Sequence, residues 1–193
     1  MIGNDIIDIE ETRSTTDWEK PRFLQKICSA TEQKIIRASD HPFLTVWQFW
    51  SMKESAYKVY IQAGGERFFN PSKIECRLSN FEIGEVKIGT MTLHTTTKIN
   101  SAYIFTTATV NATPIKSEVF ELTAVDQKHQ SRFMHNQITT DFAKHHGLLA
   151  SALTLKKTTA GVPLFSYKNK PLQAALSLSH HGLYGAYSFA EAL

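Results

Sequence analysis

The sequence predicts an α+β protein assembled from two similar halves, and three observations carry that expectation. The residue pattern runs helix, strand, strand, strand between about residues 43 and 110, and the same order returns between about 134 and 190. The two runs close on rhyming segments, Ser101-Ala102-Tyr103-Ile104-Phe105-Thr106 against Gly182-Leu183-Tyr184-Gly185-Ala186-Tyr187. The chain has 193 residues, of which 42% are apolar, enough for one shared core but tight for two independent domains. The halves are expected at residues 1–112 and 113–193, joined through a polar connector at 111–116 and forming one compact unit.

Each element has its own local reason. Ile2, Ile6, Ile7 and Ile9 are β-branched and favour an opening strand partly buried on both faces. Asp5 and Asp8 within it cannot share a face in a regular strand, because the side-chain period is two. Thr31 ahead of Glu32 and Gln33 reads as the N-cap of a helix through Lys34-Ile35-Ile36, which His41-Pro42 ends. Val46, Phe49, Trp50, Tyr57, Tyr60 and Ile61 recur at helical spacing over 43–63, and Gly64-Gly65 supplies a stop. Strand-like segments follow at 73–79, 85–93 and 102–110, with turn chemistry at 80–84. In the second half Met134, Ile138 and Phe142 mark a helix ending at Gly147. Strand-like segments then fall at about 151–157, 163–167, 174–179 and 183–190.

Composition removes several function classes. The net charge is +3, without the basic run that nucleic-acid binding asks for. Two distant cysteines, Cys28 and Cys76, make neither a cysteine zinc site nor a disulfide framework and suit a reducing cytoplasm. No apolar run approaches a membrane span, and the acidic start Gly3-Asn4-Asp5 is unlike a signal peptide. There is no G-x-S-x-G elbow, P-loop or dinucleotide fingerprint.

Three clusters remain that carry chemistry. Gly3-Asn4-Asp5 puts a carboxylate in an apolar strand, where it is costly unless paired or metal-bound. In Trp50-Ser51-Met52-Lys53-Glu54-Ser55-Ala56-Tyr57-Lys58, the residues Trp50, Glu54 and Lys58 are successive i,i+4 neighbours along one helix side. Ser177-Leu178-Ser179-His180 ends a strand on a histidine able to donate to a phosphate or bind a metal. Each alone is a common arrangement: a solvated strand-end aspartate, a surface ion pair, a turn with incidental histidines.

Together the three resemble the 4′-phosphopantetheinyl transferase superfamily, with its Gly-x-Asp strand, its W-x-x-K-E-[SA]-x-x-K helix and its S-x-S-H strand. The resemblance implies magnesium-dependent transfer of phosphopantetheine from coenzyme A to a serine of an apo acyl or peptidyl carrier protein. The large, surfactin-synthetase-activating members have the serine-histidine motif first; here it comes last. The resemblance therefore implies a circularly permuted pseudo-dimer acting as a monomer in the cytoplasm. An elongated version of the small, trimeric holo-acyl-carrier-protein synthase is the rival, and a non-catalytic binder of coenzyme A or carrier protein is the rival activity.

Residue by residue, the resemblance makes Asp5 and Glu54 the magnesium ligands and Glu54, or a water it holds, the base for the carrier serine. Lys58 binds phosphate and assists the leaving nucleotide. Lys53 is a further phosphate candidate. Ser179 and His180 face a coenzyme A phosphate, and Arg132 faces the ribose phosphate or adenine. Three departures stand out. Ile7 sits where many large members carry an acid. Asp8 and Glu10 offer a second metal register. Val162 replaces the usual lysine of a Gly-Lys-Pro run, leaving Lys156, Lys157 or Lys168 to supply a cation.

Overall fold

A computed structural model of the chain describes residues 1–68, 70–111, 114–122 and 126–190. The first run is strand β1 (Ile2–Asp8), helices α1 (Ile9–Thr15), α2 (Pro21–Ile27), α3 (Ala30–Ala38) and α4 (Pro42–Gln62), and strands β2 (Glu75–Leu78), β3 (Ile83–Ile88), β4 (Met91–Ile99) and β5 (Tyr103–Thr109). The second run is β6 (Ile115–Glu121), α5 (Gln127–His146), β7 (Leu153–Lys157), β8 (Pro163–Tyr167), β9 (Lys170–Pro171), β10 (Leu176–His181) and β11 (Tyr184–Ala190). The expected boundary at residues 112 and 113 lies outside the described residues.

The strand order explains the rhyme. One sheet runs β1-β5-β4-β3-β2, and another runs β10-β11-β6. In both, the opening strand of the run pairs antiparallel with its closing strand, which pairs in turn with the strand before it. The remaining strands form a third sheet, β7-β8-β9. Tyr103 and Tyr184, the third residue of each rhyming segment and the first of β5 and β11, meet with ring centroids 5.3 Å apart. Equivalent residues touching one another are the mark of a two-fold arrangement. Around them Ile6, Phe105 and Ala186 form a small core shared by both halves.

Larger cores lie within each half. Helix α4 buries Val46, Phe49, Met52, Ala56 and Val59 against the five-stranded sheet, which supplies Val86, Leu93 and Ile104. Helix α5 buries Ile138 and Phe142 against Phe165, Leu176 and Phe189. It ends as expected at Gly147, whose φ of 63° is left-handed.

Four expectations change. The segment 85–93 is two strands, because a tight turn at Gly89, with φ +60°, reverses the chain before Met91. The connector at 111–116 already contains the start of β6. Ser29, not Thr31, caps α3, in a reciprocal box with Glu32. The opening strand stops at Asp8, which becomes the N-cap of α1 by accepting from the N–H groups of Glu10 and Glu11. Ile9 and Glu10 are therefore helical, and strand parity ceases to govern them.

Candidate active site

The site begins with a close approach of β1 to α4. A Cβ on Gly3 would lie 1.8 Å from the Ser55 carbonyl oxygen, so only glycine lets the strand lie this near the helix. Asp5, two residues on, shares that face. Helix α4 answers with a stripe of polar side chains. The Ser51 hydroxyl donates to the Asp5 carbonyl at 3.5 Å and the Lys58 ammonium to the Asn4 carbonyl at 2.6 Å. Gln62 exchanges two bonds with the backbone of Ile2, and Ser55 reaches the Thr106 carbonyl.

The second half enters beside β1. Strand β10 shares no ladder with β1; side chains bridge the seam instead. The Asn4 N–H donates to Ser177 Oγ at 3.0 Å, and the Asp8 N–H donates to His181 Nδ1 at 3.0 Å. Lys58 also donates to the Leu178 carbonyl at 3.2 Å, and Gln62 to the Leu176 carbonyl at 3.3 Å. Lys58 thus holds a backbone carbonyl from each half.

Asp5, Glu54 and Lys58 form one electrostatic unit. Lys58 Nζ lies 3.9 Å from Asp5 Oδ1, and the two side chains are 31% and 15% exposed. Burial pushes the Asp5 carboxyl up to about 7; Lys58 opposes the rise and Glu54 adds to it. Burial also raises Glu54 and lowers Lys58. His180 joins them electrostatically: burial first, then the Lys58 charge, holds its imidazole below its ordinary range. Buried carboxylates beside one another favour either a shared proton or a bound cation. No group of three or more His, Cys, Asp or Glu side chains able to hold a metal occurs among the described residues. The donor set present is two hard carboxylates, which is what a magnesium ion completed by water and phosphate oxygens uses.

Two clefts open on this unit. One, of about 360 Å³, runs between α4 and the second half and is lined by Lys58, Gln62, Arg67, Lys157, Val162 and Ser177, among others. The other, of about 410 Å³, is lined by Glu54, Tyr57, Arg67, Phe68, Asn70, Pro71 and Ile74. Tyr57 and Arg67 border both. Arg67 ties the halves together by donating to the Ala160 carbonyl at 2.8 Å.

The structure thus brings Asp5, Glu54, Lys58 and His180 together. It corrects Lys53. That ammonium is 1% exposed and spends its protons on Glu32 Oε2 at 2.7 Å and on the carbonyls of Ile27 and Pro71, so it has none left for a phosphate. The Asp8/Glu10 metal register is corrected too, because Asp8 is consumed as a helix cap and Glu10 is exposed on α1. The Ser179 hydroxyl is buried without a hydrogen-bond partner among the described residues, and both amide atoms of Asn4 share that condition. Arg132 is exposed on α5 and lines neither cleft. Of the three lysines expected to stand in for the lysine that Val162 replaces, Lys157 lines the first cleft. Arg67 and the stripe Ser51, Ser55 and Gln62 escaped sequence reasoning; the i,i+4,i+7,i+11 spacing of Ser51, Ser55, Lys58 and Gln62 was their available signal.

Two carboxylates, a lysine and a histidine lie together at the seam between the two runs of an α+β fold. The chain belongs to the 4′-phosphopantetheinyl transferase superfamily, whose profile matches residues 1–110. A search of curated protein sequences finds no match. Among solved structures the chain is similar to the holo-[acyl-carrier-protein] synthase of Thermotoga maritima, with a TM-score of 0.43 and 12% identity over 88% of this chain and 83% of that one. No described helix is long and apolar enough to cross a membrane.

Proposed function

We propose that the protein transfers 4′-phosphopantetheine from coenzyme A to a serine of an apo acyl or peptidyl carrier protein, with magnesium. The observation that carries this reading is the convergence of Asp5, Glu54 and Lys58 from one half with His180 from the other. Asp5 and Glu54 would hold the magnesium ion, which when bound neutralises charge on the pyrophosphate. The first cleft, with Lys58, Lys157 and Arg67 on its walls, receives the anionic end of coenzyme A. Arg132, exposed on α5, is assigned to the adenosine end by the family resemblance alone.

In the transfer, the carrier serine oxygen bonds to the phosphorus that bears pantetheine. The bond from that phosphorus to the adenosine 3′,5′-bisphosphate breaks. Glu54, or a water it holds, takes the serine proton; its raised pKa brings it toward the range where a general base works at neutral pH. Lys58 stabilises the leaving bisphosphate. His180, held neutral by its surroundings, donates an N–H to a phosphate oxygen, and the unpartnered Ser179 hydroxyl lies next to it in the chain.

The duplicated strand order supports the permuted pseudo-dimer: the half that ends the large family members begins this chain. Both cleft walls come from one polypeptide, which supports action as a monomer. The cytoplasm, where buried free thiols such as Cys28 and Cys76 persist, is the proposed location. The test is incubation of the protein with coenzyme A, magnesium and several apo carrier proteins. Transfer appears as the mass gain of phosphopantetheine on the carrier. Coenzyme A binding with no gain on any carrier would identify a binding homologue instead.

A further inference from the structure

Asp8 has no part in the transfer scheme, yet its polar atoms are all committed. Oδ1 accepts from the N–H groups of Glu10 at 3.0 Å and Glu11 at 3.1 Å. Oδ2 accepts from the Leu183 N–H at 2.9 Å, across the seam between the halves. Its own N–H donates to His181 Nδ1, and its carbonyl accepts from the Thr12 hydroxyl at 2.6 Å. The residue is 3% exposed. The turn it grips is shaped for it: Gly182 has φ +54°, and a Cβ there would lie 2.3 Å from Oδ2.

The location gives this clasp a consequence. β10 is fastened to the first half at its start by Ser177, Gln62 and Lys58, and at its end by Asp8. His180 sits just before the Asp8-held turn, and Asp5 sits one β1 segment before Asp8. Releasing the Asp8 carboxylate removes the clasp on the turn after His180, leaving that end of β10 to its ladder with β11 and the residue 8 N–H, while the Lys58 end stays tied.

We infer that Asp8 is a positioning residue: by joining the N-terminus of α1 to the turn after His180, it holds that histidine in register with Asp5 and Lys58. The inference rests on the proposed reading of the cleft as the coenzyme A site. It assigns Asp8 no contact with substrate or metal.

The variants Asp8→Ser and Gly182→Ala separate the clasp from the helix cap. Serine caps a helix about as well as aspartate but is too short to reach Leu183 as well. Alanine at 182 drives the Asp8 side chain away from the other side without changing the sequence of β1. Each is compared with the unmodified protein by coenzyme A titration calorimetry, amide hydrogen exchange at Leu183, thermal unfolding and transfer kinetics. The expected result is a lost Leu183 protection and a coenzyme A dissociation constant weakened about tenfold. The KM for the carrier should stay the same, and the folded fraction at assay temperature should match the unmodified protein. Coenzyme A binding that stays tight when Leu183 is deprotected overturns the positioning role. So does a loss that follows only the unfolded fraction. Unmodified protein that fails to bind coenzyme A overturns the reading of the cleft itself, a different outcome from equal binding by protein and variants.

Discussion

At the scale of single residues the site is held by opposed costs. Asp5, Glu54 and Lys58 are each pushed by burial toward their neutral forms; Lys58 and the carboxylates draw one another toward their charged forms, while Glu54 adds to the rise at Asp5. Glu54→Gln keeps the shape and removes the charge, and it should lower transfer on the order of 10²–10⁴-fold; a carrier mass-gain assay reads this, and retained activity would sink the role given to Glu54. Asp5 makes a pH prediction. Its folded pKa of about 7 lies above its ordinary 3.8, so the metal-free folded state binds the extra proton. The stability this group contributes is full below about pH 4 and is lost as pH rises through 7. Magnesium bound to the ionised carboxylate offsets that loss. Thermal scans should therefore show magnesium raising the unfolding temperature more at pH 8 than at pH 5.5, and Asp5→Asn should abolish the difference. An equal magnesium effect at both pH values would argue against Asp5 as a ligand.

At the scale of elements, the fit of α4 on β1 decides where the chemistry stands. Gly3→Ala forces a methyl into the Ser55 carbonyl and should cost on the order of 1–3 kcal/mol or more, measured by urea unfolding, with weakened coenzyme A binding in whatever folds. The other side of α4 rests on the Lys53–Glu32 pair, whose second carboxylate oxygen accepts from the Cys76 N–H at 2.7 Å. Lys53→Met leaves a buried carboxylate unpaired and should cost about 3–5 kcal/mol. The variant's folded molecules should keep their KM for coenzyme A, because this lysine reaches no ligand; a raised KM with normal stability would restore Lys53 to the site. How legible these elements were varies for physical reasons. Helix α4 was plain from its aromatic and aliphatic spacing. The break at Gly89 was hidden because Ile88 and Met91 continue the apolar pattern across a two-residue turn. The Asp8 cap was hidden because Ile9 extends the isoleucine run one residue past the strand.

At the scale of the whole molecule, the duplication accounts for the single site. By register with the closing strands, Glu118 in β6 corresponds to Asp5 in β1, since each is paired with the fourth residue of its partner strand. Nearby Asp141 on α5 is occupied by Lys116 at 2.8 Å and by the Tyr187 hydroxyl at 3.0 Å. The second half thus satisfies its own carboxylate closely, whereas in the first Asp5 has Lys58 at 3.9 Å. One active centre per chain is expected, and light scattering of the active species should give the 21.8 kDa monomer rather than a trimer. The ends of the two runs also lie close, because Gln62 bonds both Ile2 and Leu176, and Leu176 pairs with Phe189. A chain joined from residue 190 to residue 2 by a short linker and reopened between Thr109 and Ile115 should keep its fold and transfer activity. Collapse of that rearranged chain would count against the permutation.

The sequence by itself determined the α+β class, the long helix and three motifs whose residue types suit phosphate and magnesium chemistry. Those features are local: they depend on spacing along one element, on glycine at a close approach and on β-branched runs. Only the tertiary structure decided which polar side chains are spent and which are left over. Lys53 and Glu54 are adjacent in sequence, yet a helix sends neighbours about 100° apart, one into the core to meet Glu32 and the other toward Asp5. Asp5 and Asp8 carry the same side chain, yet one lies beside Lys58 and the other closes a helix. Arg67 and Lys157 are distant in the chain and line one cleft because two half-sized units cannot bury their inner faces except against each other. That shared seam is where the chemistry stands.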